Sequence, residues 1–369
     1  MGTHPNGPAS LYHEPDTSLK SLVAADPTYF LGSRTASKYS TVSQDKQSSQ
    51  SPEIPFLFKA LSVAKALPLQ AHPDVALAQK LNTKDGKRFV DANHKPEIAL
   101  ALGNFRGFVG FKPLDEIRKA IDETPELKEV IGKDISFTNN RCLRAAISSL
   151  LLQPQTQIEE TVQKLVKRLK TESKSDPLSR LVSDVDTQYP GDVGVLIAPY
   201  FMNLVTLAKG DAIYIGMDEA HAYLDGDIME CMTISDNVVN AAFVPPAERD
   251  PRTFLEMLTY SPRPALRFKV SPKRYMGGTI GLTTAYDPQL EEFIVLRTKL
   301  DGVGDKEEEL SGSKGPTIGI VVRGHVQITV ESFTEEFNAG SVFFVAAEKA
   351  ILLRTTHSVE IFWATLAKV

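Results

Sequence analysis

The chain has 369 residues, 42% hydrophobic and 24% charged, a balance ordinary for a soluble globular protein and long enough for two or three domains. A formal net charge of -5 at pH 7, with Lys and Arg scattered along the chain, argues against a nucleic-acid surface. Cys142 and Cys231 lie too far apart in sequence to imply a disulfide framework, and no apolar run reaches the length of a membrane span, so a reducing, cytoplasmic setting without a membrane partner is expected.

Residues 32–53, rich in Ser, Thr, Gln and Lys, read as a solvated loop. Apolar residues are dense from Phe56 to Leu69, and Leu69-Gln70-Ala71-His72 reads as a strand ending at Pro73. Asp74 then caps a short helix to Leu81, with Val75, Ala78 and Leu81 at helical spacing. Between Leu114 and about Gln188 the apolar period becomes about 3.6, through Ile117, Ile121 and Leu127, then Leu143 to Leu152, then Ile158, Val162, Leu165 and Leu169, which predicts a helical segment. Gly194 to Ala198, Leu204 to Leu207 and Ala212 to Ile215 read as short strands, with His221 just beyond the last. From about Ala265 the pattern is again β-rich: Phe293 to Leu296, Thr317 to Val322, His325 to Val330, Gly340 to Val345 and Ile351 to Arg354. Short strands at regular spacing predict a barrel or jelly roll. Between them the run Gly302 to Gly315, with Lys306-Glu307-Glu308-Glu309, reads as a charged solvent loop. The fold class is therefore mixed β and α.

Gln70 and His72 stand two residues apart on a predicted strand, so both side chains project from one face. A carboxamide oxygen and an imidazole nitrogen are acceptable to a divalent metal, and Glu97 with His221 would complete a Gln, His, Glu, His set. Tyr223, two residues after His221, would present its hydroxyl on the same face. Any one of these alone would more often be structural, since buried histidines commonly just satisfy hydrogen bonds.

Five segments occur together and in order: Leu57-Phe58-Lys59-Ala60-Leu61-Ser62, Gln70-Ala71-His72-Pro73, His94-Lys95-Pro96-Glu97, the stretch from Gly226-Asp227 to Ser235-Asp236-Asn237, and Glu256-Met257-Leu258. In this the chain resembles the type I mannose-6-phosphate isomerases, or phosphomannose isomerases, of the cupin superfamily, over nearly its whole length. The resemblance implies two cupin-like jelly-roll barrels with an inserted helical domain. Residues 1–112 and 190–264 would form a discontinuous metal-bearing catalytic domain, 113–189 the helical domain, and 265–369 a C-terminal cupin-like β domain. It places Gln70, His72, Glu97 and His221 on the family's ligands for one zinc ion per chain. It also implies interconversion of mannose 6-phosphate and fructose 6-phosphate through an enediol by a cytoplasmic monomer that serves GDP-mannose biosynthesis. Lys95 matches a lysine of the family's active site, while Asp227 and Glu230 are candidates for the proton shuttle. Their spacing on a strand puts them on opposite faces, so at most one need point inward.

Three features depart from the family pattern. The opening Met1 to Pro8 resembles an internal family segment, so by resemblance the chain begins late and the first barrel is expected to expose an edge. Pro68 stands where the family has Ser, removing a hydroxyl, and Asn240 stands where it has Arg, removing a fixed charge near a dianionic substrate. Lys112, Lys273 and Arg274 are the cations considered as replacements. These departures motivate a competing reading, a catalytically silent metal- and sugar-phosphate-binding homologue with a regulatory role.

Overall fold

The structure, a computed structural model, describes residues 1–39, 52–132, 135–172 and 176–366. Three short helices, α1 (Leu19–Ala25), α2 (Pro27–Leu31) and α3 (Ser33–Lys38), precede β1 (Phe56–Val63) and β2 (Leu69–Ala71). Next come α4 (Val75–Lys84), capped by Asp74 as its sequence predicts, and the long strand β3 (Glu97–Phe111). Of the loop expected over residues 32–53, α3 corrects the first part, and residues 40–51 lie outside the described residues.

Helices α5 (Leu114–Asp122), α6 (Pro125–Ile131), α7 (Asn140–Leu151), α8 (Gln155–Thr171), α9 (Pro177–Gln188) and α10 (Gly194–Phe201) then intervene before β4 (Met202–Leu207). The reading of Gly194 to Ala198 as a strand is wrong. Every residue of α10 is buried, and an all-apolar run shows no periodicity by which helix and strand could be told apart. Its first turn is secured by Asp192, whose carboxylate accepts from the amide of Gly194 and is held by Arg249 at 2.7 Å.

After β5 (Ala212–Ile215), β6 (His221–Thr233) and β7 (Val239–Ala242), the first sheet is antiparallel in the order β4-β3-β6-β2-β7, with β1 also on β6 and β5 also on β3. Strand β6 is the spine of this sheet. Along one edge it pairs with β3, and along the other it meets β1 from Phe56↔Thr233 to Val63↔Gly226 and then β2 at Gln70↔His221. On its far edge β1 exchanges two backbone hydrogen bonds with Met1.

Both faces of this sheet are covered, which is why its strands lack simple alternation of apolar and polar residues. Near one end Leu69, Ala71, Ala222, Leu224 and Val239 pack against Ile117, Leu143, Ile147, Ile158 and Leu165 of the helices. At the other end Phe56, Phe58, Ile98, Met229 and Cys231 pack against Tyr286, Phe293, Val295 and Phe362 of the C-terminal half. The opposite face encloses Ala99, Ala101, Phe105, Ile213, Tyr223 and Ile228.

That half, after α11 (Pro251–Met257), contains β8 (Lys273–Arg274), β9 (Thr283–Tyr286), β10 (Ile294–Leu300), β11 (Lys306–Leu310), β12 (Thr317–Arg323), β13 (His325–Val330), β14 (Phe333–Asn338), β15 (Val342–Val345), β16 (Ile351–Thr355) and β17 (Val359–Thr365). They form two antiparallel sheets, β15-β12-β17-β10-β9-β8 and β11-β16-β13-β14, around a shared apolar core that includes Trp363. The charged loop expected at Lys306 to Glu309 is instead β11, paired from Lys306↔Thr355 to Leu310↔Ile351. An inward-facing Glu308, fully buried, hid the alternation of that strand.

Tyr223 and Ile228 face the same interior although five residues separate them, so β6 must slip by one residue between them. The slip is absorbed at Gly226, at φ +108°, opposite register shifts in β3. A Cβ there would lie 2.3 Å from the carbonyl oxygen of Asn104. Gly226→Ala is therefore expected to lower stability by about 2–4 kcal/mol. Gly340, at φ +92° with nothing within 4 Å of a Cβ, isolates the backbone contribution, and Gly340→Ala is expected to cost about 1–2 kcal/mol. Urea unfolding of the two variants measures the difference; equal losses would remove the steric argument for the bulge.

Candidate metal centre

Three side chains converge on the interior face where β2, β3 and β6 adjoin. His72 follows the end of β2, Glu97 opens β3 and His221 opens β6, and one ligand atom from each lies within 4.8 Å of the other two. All three are buried. His72 Nε2 stands 3.2 Å from Glu97 Oε1, and His221 Nε2 stands 3.5 Å from Glu97 Oε2.

The rings are oriented from behind. His72 Nδ1 lies 2.8 Å from the carbonyl oxygen of Asn237, and His221 Nδ1 lies 3.0 Å from that of Glu219. Because a carbonyl only accepts, each Nδ1 carries the proton and each Nε2 presents a lone pair. Neither Nε2 has a hydrogen-bond partner among the described residues, although each stands close to a Glu97 oxygen. Two bare imidazole nitrogens flanking a carboxylate suit a divalent cation and leave an unmet cost without one.

Asn237 is itself fixed by the Asp91 loop. The carboxylate of Asp91 accepts from the Ser235 hydroxyl, the Asp236 amide and the Asn237 side chain. The Ser-Asp-Asn segment thus acts through His72. At the other side Thr233 donates to the carbonyl of His94 at 2.6 Å, which secures the segment leading into Glu97.

Burial drives the pKa of His72 down to about 4 and lowers that of His221, so both rings are neutral near pH 7. Burial alone would raise Glu97, but His72, Lys95 and His221 hold it below the usual carboxylate range. Lys95, itself buried, lies 3.8 Å from Glu97 Oε1, and the Tyr223 hydroxyl donates to Glu97 Oε2 at 3.4 Å. Burial next to Glu230 and Glu97 pushes the Tyr223 phenol well above its ordinary value, so it remains a donor.

Gln70 sits beside this group through its register with His221, on the same face of the sheet. Glu230 also faces the interior, buried, with Lys59 Nζ 2.5 Å from its Oε2. Burial and the charge of Glu97 raise the Glu230 carboxyl despite Lys59, and Glu230 holds the Lys59 ammonium above its ordinary value against its own burial. Lys59 is the residue that reading the sequence missed. Its signal was a lysine inside an apolar strand, at the register position opposite Glu230.

Asp227 does not join the cluster. It is exposed at the register position of Ser62, three residues from Glu230 and so on the other face. The cations considered as replacements are also placed elsewhere: Lys112 donates to the carbonyl of Pro199, while Lys273 and Arg274 lie exposed on β8.

The family model for the type I phosphomannose isomerase catalytic domain matches residues 1–114, and that for the helical insertion domain of the same family matches residues 116–202. Mannose-6-phosphate isomerase of Ogataea parapolymorpha is 35% identical over 96% of this chain and 84% of its own length. The Saccharomyces cerevisiae enzyme is 35% identical over 94% of the chain and 83% of its own length. In fold, the chain superposes on a point mutant of phosphomannose isomerase from Salmonella typhimurium with a TM-score of 0.83, at 22% identity, covering 99% of this chain and 90% of that one. A zinc-bound mannose 6-phosphate isomerase gives 0.84 at 22% identity, with the same coverage. The mixed α and β fold, with cupin-like sheets and a helical insertion, is common to them. Among the described residues no helix is long and apolar enough to cross a membrane.

Asp218 links the two histidine-bearing segments and supplies a pH test. Its amide donates to the carbonyl of His72, its side chain accepts from the amide of Asp74, and its φ is +59°. Burial, with Asp74 and Glu219 nearby, raises its pKa from 3.8 to about 6. A carboxyl raised on folding penalises the native state when ionised, so the penalty is absent below about pH 4, grows to about pH 6 and is complete above. Asp218→Asn keeps the acceptor and tolerates the left-handed backbone. Its melting temperature is expected to match the parent near pH 4 and exceed it near pH 7.5; the opposite order would refute the raised pKa.

Proposed function

The chain belongs to the type I phosphomannose isomerase family, and from that premise we propose that it interconverts mannose 6-phosphate and fructose 6-phosphate by moving a proton between C1 and C2 through an enediol. The observation that carries this reading is the combination, on one buried face, of a bare-nitrogen ligand cluster with a separate Lys59–Glu230 pair. A zinc ion held by Gln70, His72, Glu97 and His221, one per chain, supplies a Lewis acid for the sugar oxygens when bound.

The remaining chemistry falls to the chain's own groups. Glu230, with its pKa raised by burial, accepts the C2 proton of mannose 6-phosphate and returns it to C1, while the hydroxyl proton on O2 passes to O1, so that the aldehyde at C1 becomes an alcohol and C2 the ketone. Lys59 lies against the carboxylate and stabilises it whenever it is ionised. Tyr223, protonated and in contact with Glu97, fixes that carboxylate and offers a hydroxyl to the interior. Lys95 sets a buried positive charge beside Glu97, suited to an anionic substrate. Asp227, exposed on the other face, has no part in this scheme.

The same reading divides the chain into the catalytic domain of residues 1–112 and 190–264, the helical domain of 113–189 and the C-terminal domain of 265–369. It makes the protein a cytoplasmic monomer that serves GDP-mannose biosynthesis.

The test is a coupled assay of mannose 6-phosphate conversion on the purified chain, with zinc quantified and chelator as the control. Chelator-sensitive turnover is expected; folded, zinc-loaded protein without turnover would replace this reading with the silent homologue. His221→Ala is expected to lose zinc together with activity, and unchanged zinc stoichiometry would refute its ligand role. Glu230→Gln is expected to retain zinc while kcat falls about 10²–10⁴-fold, and a loss below ten-fold would exclude it as the proton shuttle.

A further inference from the structure

The ligand row continues one strand further than the ligands. Gln70 is in register with His221 on β6 and with Asn240 on β7, so the three side chains rise from one face of three adjacent strands. Directly paired residues stand about 5 Å apart, which brings the Asn240 carboxamide to the edge of the candidate metal centre. The opposite face at this place is closed, since Leu69, Ala71, Ala222, Val239 and Ala241 pack into the core shared with the helices.

Asn240 Oδ1 is buried and without a hydrogen-bond partner among the described residues. It shares this condition with His72 Nε2 and His221 Nε2 on the same face. The backbone of Asn240 is tied into the structure: it is paired in register with Gln70, its carbonyl accepts from the Asp250 amide, and Asp250 in turn holds Arg88 at 2.9 Å. Fixed backbone and a free carboxamide oxygen describe an acceptor held ready for a donor that the described residues do not supply.

An amide oxygen accepts only, so it disfavours a phosphate oxygen and suits a neutral hydroxyl. We infer that Asn240 is a specificity-determining contact, whose carboxamide oxygen accepts a hydrogen bond from a hydroxyl of the sugar when the substrate is seated at the His72–Glu97–His221 cluster. The inference rests on the isomerase reading for the identity of that sugar. A site built to hydrogen-bond a hydroxyl discriminates against ligands that lack it, because the buried acceptor is then left unpaired.

The experiment compares two unreactive probes, a hexitol 6-phosphate and inorganic phosphate, by calorimetric titration of zinc-loaded wild type, Asn240→Ala and Asn240→Leu. Both variants lack the acceptor, and Leu nearly preserves its volume. Hexitol 6-phosphate affinity is expected to fall about five-fold or more in both variants, with inorganic phosphate affinity, zinc content and melting temperature unchanged. Equal weakening of both probes would make Asn240 a phosphate contact and overturn the inference, as would unchanged affinity for both. Because binding is read without turnover, the isomerase reading is judged separately: wild type that binds the hexitol phosphate but converts no mannose 6-phosphate sinks that reading alone, and wild type that binds neither probe sinks both.

Discussion

The interior of the first sheet is organised by two hydrogen bonds that face away from the chemistry. By engaging the Nδ1 of His72 and His221, the carbonyls of Asn237 and Glu219 decide which imidazole nitrogen is left bare and where it points. Everything nearer the site follows from that choice. The Asp91 carboxylate fixes Ser235, Asp236 and Asn237, while Arg263 at 2.9 Å and Thr259 at 3.2 Å fix Glu219. Removing either carbonyl from position would free a ring to turn toward a closer partner and fill the orphaned valence without metal.

The helical insertion contributes to this centre through the segment before β2. The side chain of Gln188 accepts from the Ala66 amide, and the Tyr189 hydroxyl donates to the Ala66 carbonyl, so the end of α9 grips both backbone groups of one residue. Leu67 then donates to the carbonyl of Tyr223 on β6. The path from a helix terminus to Gln70 is thus only a few rigid residues long, and the insertion is mechanically part of the site.

Much of this was legible in the sequence, for physical reasons that also explain the failures. Gln70, His72 and Tyr223 could be placed on faces because strand geometry has period two, and Glu230 could be separated from Asp227 by the same rule. Helix α4 was legible from its cap, and α5 to α9 from amphipathic spacing. The helix at Gly194–Phe201 was not, because burial on all sides erases periodicity. Strand β11 was hidden by a buried Glu308, and Lys59 was passed over because its partner lies on a distant strand and is visible only in register. The slip at Gly226 is likewise invisible to a reading that counts alternate residues, since it lies between two correctly alternating halves of β6.

That slip ties the backbone to the electrostatics of the interior. Without it, a strand that turns His221 and Tyr223 inward would turn Glu230 toward the opposite face, and Lys59 would follow through its register. With it, the enclosed charges balance: Glu97 and Glu230 against Lys95 and Lys59. A neutral set of this kind can be buried at a cost the fold sustains, because each charge has an opposite one within ion-pair distance. In the proposed reading, a divalent ion raises the set by two positive charges and a dianionic sugar phosphate offsets them. The order of binding then has an electrostatic logic: the ion makes the interior attractive to the substrate, and the substrate restores the balance that the protein alone already had.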